Sequence, residues 1–214
     1  MKISAPLLLS LAGAVIQTLA SPLSVADNNF LASIDLPNLE EVDMISIGPV
    51  TPGGPDVTLT GTAKSIYEQI LVLNPSYNPA DFGGEPLKPE PTLAEKALSQ
   101  LEGRTWTGGC CRCTGAPYNV EAYDQATLDG INYLLALGTR QCGTGSGGVL
   151  RAACSYNSAI WMVSRTQTAT YSPCNALGVA ANSIYRSCYL DYRVNGQICD
   201  SGGFCVIIGG GASC

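Results

Sequence analysis

Ten cysteines carry the most recognisable chemistry in this 214-residue chain, and all of them lie in its C-terminal half. Cys110 and Cys113 have the C-x-x-C spacing of a zinc-ligand pair or a redox-active pair. Zinc would require a second such pair, and a redox site would require a thioredoxin-like context, and the sequence contains neither. We therefore expect structural disulfides at Cys110, Cys111, Cys113, Cys142, Cys154, Cys174, Cys188, Cys199, Cys205 and Cys214.

Only part of the disulfide pattern follows from the sequence. Cys110 and Cys111 are adjacent and cannot easily bond to each other, so we expect them to have different partners. Cys199 and Cys205 flank a predicted turn, and directly opposed residues of an antiparallel pair approach closely enough for a disulfide. We predict a Cys199–Cys205 bond and leave the other pairings open, because ten cysteines allow about 945 combinations.

Carboxylates and aromatic side chains offer a second kind of chemistry. Asp191 and Asp200 lie near one predicted hairpin, and a carboxylate pair is the minimum requirement for glycoside hydrolysis. Carboxylates at strand ends are more often solvated turn residues, and we favour that interpretation. Trp161, Tyr156 and Tyr171 could form a sugar-binding aromatic face, although we expect two of the three to be core or hairpin residues.

The sequence contains no histidine, which excludes Ser-His-Asp and Cys-His catalysis and every histidine-ligated metal site. The segment Gly143 to Gly148 matches the dinucleotide-binding pattern G-x-G-x-x-G. It follows a predicted helix and leads into a predicted strand, whereas a nucleotide-binding loop follows a strand and opens a helix. We interpret the segment as a turn, and we expect no catalytic residue, no metal site and no cofactor.

Charge and cysteine content divide the chain into two parts. Residues 21–104 contain twelve Asp and Glu against four Lys and Arg, whereas residues 105–214 contain six arginines against five carboxylates. No cluster of basic residues indicates nucleic-acid binding. Met1 to Ala20 has the lysine, the apolar run and the small-residue end of a secretory signal peptide. We expect a secreted, extracellular protein without a membrane span, monomeric, with an unknown target that is a host or microbial protein or a cell-wall glycan.

Residues 21–104 are predicted to be an acidic, Pro/Gly-rich pro-segment or linker that is largely unstructured. Clusters such as Pro52-Gly53-Gly54-Pro55 interrupt it, and a chain of this composition buries too little apolar surface to offset its entropy. Two short helices are predicted within it, at Lys64–Leu73 and Thr92–Leu101. Arg104 could be a processing site, and whether the segment is removed stays open.

Residues 105–214 are predicted to form the folded, cysteine-rich domain. A helix from Ser172 to Cys188, with Ser172 as N-cap, has a cysteine at each end of its buried stripe. A second helix is predicted from Gln125 to Leu137, with Gly138 as its stop. The predicted strands are Thr105–Cys113, Val149–Cys154, Ala159–Thr166, Tyr189–Val194, Gln197–Asp200 and Phe204–Ile208, with a type I′ turn at Asn195-Gly196. The predicted fold class is therefore α+β, with two helices packed on a four- to five-stranded antiparallel sheet, stabilised by disulfides.

The C-terminal half resembles small cysteine-rich secreted fungal effectors. The resemblance rests on the run Cys154 to Trp161, the cysteine-bounded helix and the stretch from Val194 to Cys214. In pattern the chain is similar to the extracellular necrosis-inducing effectors and to the smut killer-toxin (type four) fold. The resemblance implies a non-enzymatic effector or toxin that acts on a host or competitor outside the producing cell. The alternatives are a small secreted protein that binds or cleaves cell-wall carbohydrate, and a structural extracellular protein.

Overall fold

The computed structural model describes residues 41–87, 106–112, 120–144, 148–164, 169–200 and 204–214. Its strands are β1 (Glu41–Pro49), β2 (Asp56–Gly61), β3 (Trp106–Cys111), β4 (Ala122–Tyr123), β5 (Gln141–Thr144), β6 (Val149–Ser155), β7 (Ser158–Ser164), β8 (Thr170–Pro173), β9 (Tyr189–Leu190), β10 (Arg193–Val194), β11 (Gly196–Asp200) and β12 (Phe204–Gly210). Its α-helices are α1 (Ala63–Leu73), α2 (Asp124–Ala136) and α3 (Cys174–Cys188), and Pro79–Phe82 is a 3-10 helix.

The described strands form one large sheet and one small sheet. The large sheet has nine strands in the order β3-β11-β12-β7-β6-β1-β5-β8, with β2 paired to β1, and the small sheet has the order β4-β10-β9. The pair β1 and β6 is parallel and the other described pairs are antiparallel. The predicted class, mixed α+β, is confirmed. The predicted size of two helices and four to five strands is too small for two reasons. The acidic half of the chain contributes α1, β1 and β2, and the cysteine-rich half contains three strands, β4, β5 and β8, that were not predicted.

Residues 41–87 belong to this fold, which corrects the prediction that the acidic segment is largely unstructured. Strand β1 pairs with β5 along one part of its length and with β6 along another, so it joins the sheet of the cysteine-rich half. The cluster Pro52-Gly53-Gly54-Pro55 lies in the loop of the β1–β2 hairpin, where Pro49 pairs with Asp56. Proline and glycine are as typical of tight turns as of linkers, and here they are turn residues.

Helix α1 is stable in this fold because it packs on α2 rather than standing alone. Thr62 caps it by accepting a hydrogen bond from the backbone N–H of Ser65. Ile66 and Ile70 are fully buried in the main hydrophobic core. The predicted helix at Thr92–Leu101, the Arg104 site and the signal peptide lie outside the described residues.

Helix α3 begins at Cys174, which corrects the prediction that Ser172 is its N-cap. Ser172 belongs to β8, where it pairs with Cys142 of β5, and Pro173 is the N-cap residue. The hydroxyl of Ser172 is therefore buried in the sheet and makes no capping hydrogen bond. The predicted buried stripe is confirmed, since the structure buries Cys174, Leu177, Ala181, Ile184 and Cys188.

The described disulfides hold this architecture together. They are Cys111–Cys188, Cys142–Cys174, Cys154–Cys214 and Cys199–Cys205. The first two attach the two ends of α3 to β3 and β5. Cys199 and Cys205 are directly opposed in β11 and β12, with their Cα atoms 4.0 Å apart, as the hairpin geometry predicts. Cys110 is also disulfide-bonded, and Cys113 lies outside the described residues.

The prediction of a type I′ turn at Asn195-Gly196 is wrong. Gly196 is a sheet residue that pairs with Ile208 on one side and with Cys111 on the other. A Cβ atom at this position would lie 2.7 Å from the Sγ atom of Cys188. Glycine is needed here because the strand passes close to the end of α3, not because the chain reverses direction.

Candidate interaction surface

In the small sheet, β9 and β10 form a hairpin with a tight, exposed turn. Leu190 pairs with Arg193, so Asp191 and Tyr192 are the two central residues of a two-residue turn. Their φ angles are 49° and 61°, in the left-handed region that a type I′ turn requires. Glycine and asparagine are the usual residues at such positions, and a tyrosine there costs conformational energy. The turn therefore places Tyr192 at the exposed tip of the hairpin at the expense of backbone strain.

Four tyrosines gather around this turn. The ring centroids of Tyr185 and Tyr189 are 5.5 Å apart, and those of Tyr189 and Tyr192 are 6.4 Å apart in an edge-to-face arrangement. The guanidinium carbon of Arg193 lies 3.7 Å from the ring centroid of Tyr123, close enough for a cation–π contact. We call Tyr123, Tyr185, Tyr189, Leu190, Tyr192 and Arg193 the tyrosine surface.

The tyrosine surface is exposed to an unusual degree for large apolar side chains. The exposed fraction is 72% for Tyr192, 48% for Leu190, 46% for Tyr123 and 41% for Tyr189. Protein interfaces are enriched in tyrosine and arginine, because these side chains bury a large area while still offering a polar group. A cluster of such exposed residues is typical of a binding site.

The half-buried tyrosine of this surface is Tyr185. Burial raises its pKa, and the nearby carboxylate of Asp124 and the phenol group of Tyr189 raise that pKa further. A tyrosine phenol is already protonated at neutral pH, so Tyr185 can donate a hydrogen bond to a partner.

The base of the surface is fixed in the fold. Cys188 directly precedes Tyr189 and is bonded to Cys111, so the start of β9 is held to β3. The backbone N–H of Asp124 donates a hydrogen bond of 3.2 Å to the carbonyl oxygen of Tyr192, which ties the turn to the start of α2. A rigid surface loses little conformational entropy when a partner binds.

The structure separates the two carboxylates that the sequence pointed to. Asp191 lies in the exposed turn of the small sheet, whereas Asp200 is 2% exposed at the far end of β11. A carboxylate oxygen of Asp200 accepts a hydrogen bond of 2.9 Å from the backbone N–H of Phe204, so this side chain stabilises the β11–β12 hairpin. The two residues do not form an acid–base pair.

The three aromatic residues proposed for a sugar-binding face are also separated in role. Trp161 is 1% exposed in the middle strand β7, and its indole N–H donates a hydrogen bond to a carboxylate oxygen of Glu41. Tyr171 is a half-buried residue of the edge strand β8. Tyr156 is the exposed member, in the β6–β7 turn. As expected, two of the three residues, Trp161 and Tyr171, are packed in the sheet, and Tyr156 is exposed to solvent.

The glycine-rich segment contributes no described ligand site. Gly143 and Thr144 are residues of β5, and 145–147 lie outside the described residues. A Cβ atom at Gly143 would lie 2.1 Å from the carbonyl oxygen of Thr170, so this glycine permits the close approach of β8.

Sequence reasoning missed the tyrosine surface. Tyr185 and Tyr189 are four residues apart, which places them on one side of the end of a helix, and Tyr192 follows three residues later. That spacing could have indicated from the sequence that these three tyrosines lie close together. The position of Tyr123 beside Arg193 depends on the pairing of β4 with β10, which no local pattern indicates.

No helix in the described ranges is both long and apolar enough for a bilayer span. Within the same ranges, no three Cys, Asp or Glu side chains gather in a way that could hold a metal ion.

Comparisons with family models, with curated proteins and with solved structures give no match for this chain.

Proposed function

We propose that this protein is a secreted, non-enzymatic effector or killer-toxin-like protein that binds a target on a host or competitor outside the producing cell. The tyrosine surface is the binding site in this proposal. Two observations carry it, both on a covalently fixed base: the exposed rings of Tyr189 and Tyr192 lie edge to face, and the exposed ring of Tyr123 lies against Arg193 of the same hairpin.

Two features support action outside the cell. Four disulfides join described cysteines, and structural disulfides persist in oxidising compartments such as the extracellular space. Met1 to Ala20 has the sequence pattern of a secretory signal peptide. Disulfides stabilise the folded state, which helps an extracellular protein to withstand proteases and dilution.

The composition of the surface favours a protein partner. Its tyrosine rings supply apolar area, while Arg193 and the Tyr185 phenol supply directed hydrogen-bond donors. The fixed turn at Tyr192 gives this surface one shape, which suits a specific partner better than many different ones.

The proposal is tested by exposing host tissue or competing fungi to the purified full-length protein. The wild type should give a response such as tissue necrosis or growth inhibition, and Tyr192→Ala should reduce that response at least tenfold in dose, because truncating a central interface tyrosine commonly costs that much affinity. Val72→Ser is the matched control, since Val72 is 82% exposed on α1 and lies outside the surface.

Three outcomes would contradict the proposal in whole or in part. A wild-type protein without effect on any tissue or competitor would favour a structural extracellular role. A release of sugar from cell-wall polysaccharide by the wild type would favour the carbohydrate-cleaving alternative. An equal response from Tyr192→Ala and wild type would remove the tyrosine surface from the proposal.

A further inference from the structure

A groove of about 470 Å³ lies on a different part of the molecule from the tyrosine surface. Its walls are the start of α1, one face of α2 and the end of β6. This volume falls in the range of small-ligand sites, about 300–1,000 Å³. The acidic half and the cysteine-rich half each supply a wall, so the groove exists only because residues 41–87 join the fold.

One wall presents polar groups that are free to bind a ligand. Asp129, Asn132 and Tyr133 are three and four positions apart on α2, which places them on one face of the helix. A carboxylate oxygen of Asp129 accepts a hydrogen bond of 2.9 Å from Gln125, which holds the side chain in place. Among the described residues, neither the other carboxylate oxygen of Asp129 nor the side-chain amide of Asn132 has a hydrogen-bond partner. Together they offer neighbouring donors and acceptors.

The opposite wall presents an aromatic ring. Tyr156 is 82% exposed at the β6–β7 turn, where its φ angle is 47°. Nothing in the packing requires an exposed tyrosine in this left-handed position, which asparagine or glycine would adopt at lower cost. Cys154, two residues earlier, also lines the groove and is bonded to Cys214, so the disulfide fixes this wall.

The floor of the groove is shallow and closed. It is formed in part by Ala126, Gly130 and Ala153. A Cβ atom at Gly130 would lie 2.8 Å from the Cβ atom of Ala153, so helix and strand already touch and no deeper cavity opens between them. A ligand would therefore lie along the groove rather than insert into it.

The charge of the groove is balanced. Among the described lining residues, Lys64 is the one cation and Asp129 the one anion. Lys64 also lies 4.0 Å from the carboxylate of Glu68 on the same helix, but both side chains are exposed, so solvent screens this pair. A site without net charge has no electrostatic preference for polyanions or polycations.

We propose that this groove binds an uncharged oligosaccharide. A sugar ring has an apolar C–H face that can lie against Tyr156 and hydroxyl pairs that can bond to Asp129 and Asn132 at once. A shallow, open floor suits a chain of sugars that extends beyond the groove. The site is separate from the tyrosine surface, and the inference does not rest on the proposed function.

The test measures binding of the full-length protein to cellohexaose, laminarihexaose, xylohexaose, mannohexaose and acetylated chitohexaose by titration calorimetry. At least one of them should bind with a Kd below about 1 mM, and Tyr156→Ala and Asp129→Ala should each weaken that binding about tenfold. Asp81→Ala is the matched control, because Asp81 is an exposed carboxylate that does not line the groove.

Three results would overturn the inference: no binding of any of these sugars at about 1 mM, equal binding by Tyr156→Ala and wild type, or tighter binding of oligogalacturonate or of a zwitterionic dipeptide. Thermal unfolding of each variant shows that it is folded. The binding measurement uses no cells or tissue, so a failure to bind sugar does not contradict the proposed function. In the same way, the absence of a tissue response does not contradict sugar binding in the groove.

Discussion

A terminal guanidinium nitrogen of Arg140 donates a hydrogen bond of 2.8 Å to the carbonyl oxygen of Val57, across 83 positions of sequence. Arg140 is 2% exposed and also donates to Ser46 and to the carbonyl oxygens of Gly48 and Pro49. Within the described residues no carboxylate forms an ion pair with it. Burial lowers the pKa of Arg140, because the charge is separated from water. The cation is thus held by backbone carbonyls of the β1–β2 hairpin.

We expect Arg140→Met to destabilise the protein strongly. The substitution removes every one of these hydrogen bonds and leaves several buried carbonyl groups unpaired, at a cost of about 3 kcal/mol or more. Urea unfolding measures the change in the free energy of unfolding. Arg186→Met, at an exposed position of α3, is the control and should change it by less than about 0.5 kcal/mol. Equal midpoints for the two variants would mean that the buried arginine does not hold the two halves together.

Residues 41–87 should remain bound after the chain is cut between Leu87 and Trp106. All cysteines lie from Cys110 onward, so no disulfide can hold the acidic segment. Its attachment is the pairing of β1 with β5 and β6, together with the packing of α1 on α2. With a protease site placed in residues 88–105, the fragments should co-elute in size-exclusion chromatography and separate in denaturant without a reductant. Separation under native conditions would show that the acidic segment is only loosely attached.

The elements with strong local signals were predictable from the sequence. Gly138 ends α2 with a φ angle of 64°, as a helix-stop glycine should. The β6–β7 hairpin turns at Tyr156 and Asn157, and the six-residue spacing of Cys199 and Cys205 matches their opposition across β11 and β12. In each case the decisive contacts lie within a few residues of each other in sequence.

The remaining features depend on partners that are distant in sequence. Strand β1 joins the sheet through the parallel pair with β6, more than a hundred residues away, and no local pattern names that partner. Ser172 has an ideal capping side chain, but pairing of β8 with β5 recruits it into a strand. Trp161 is the kind of residue that sugar-binding faces use, but its side chain is buried in a hydrophobic cluster with Val149 and Ile207 of other strands. In the tyrosine surface, the contact of Tyr123 with Arg193 likewise depends on a distant partner, through the pairing of β4 with β10.

The disulfides should differ in how much they stabilise the fold. Cys111–Cys188 closes a sequence separation of 77 residues, and Cys199–Cys205 closes one of 6. Loop entropy predicts about 4 kcal/mol for the first and about 2 kcal/mol for the second. Replacing each pair by alanine and measuring denaturant midpoints tests this order. A larger loss for the Cys199–Cys205 pair would show that local packing in the hairpin outweighs chain entropy.

Alkaline unfolding should report on Tyr77. Burial raises the pKa of Tyr77 from 10.0 to about 12, and its hydroxyl donates a hydrogen bond of 3.3 Å to the carbonyl oxygen of Ala136. The folded state therefore keeps a proton that the unfolded state has lost, and stability falls as the pH rises from about 10 to about 12. Tyr77→Phe should cost about 1 kcal/mol at pH 7. It should also make the alkaline decline shallower, and equal slopes above pH 10 would contradict this assignment.

The strain at Tyr192 predicts that stability and function can be separated. At the φ angle of 61°, any residue with a Cβ atom is strained by about 1–2 kcal/mol, and glycine avoids this strain. Glycine loses more conformational entropy on folding, which takes back about 0.5–1 kcal/mol of that gain. Tyr192→Gly should therefore be more stable than Tyr192→Ala by roughly 0.5–1 kcal/mol in thermal or urea unfolding, because alanine keeps the strain. Both variants should lose the response in tissue or in competing fungi. If Tyr192→Gly is more stable than Tyr192→Ala and is inactive, the tyrosine side chain is needed for binding. If Tyr192→Gly still gives the response, the turn keeps its unusual residue for another reason.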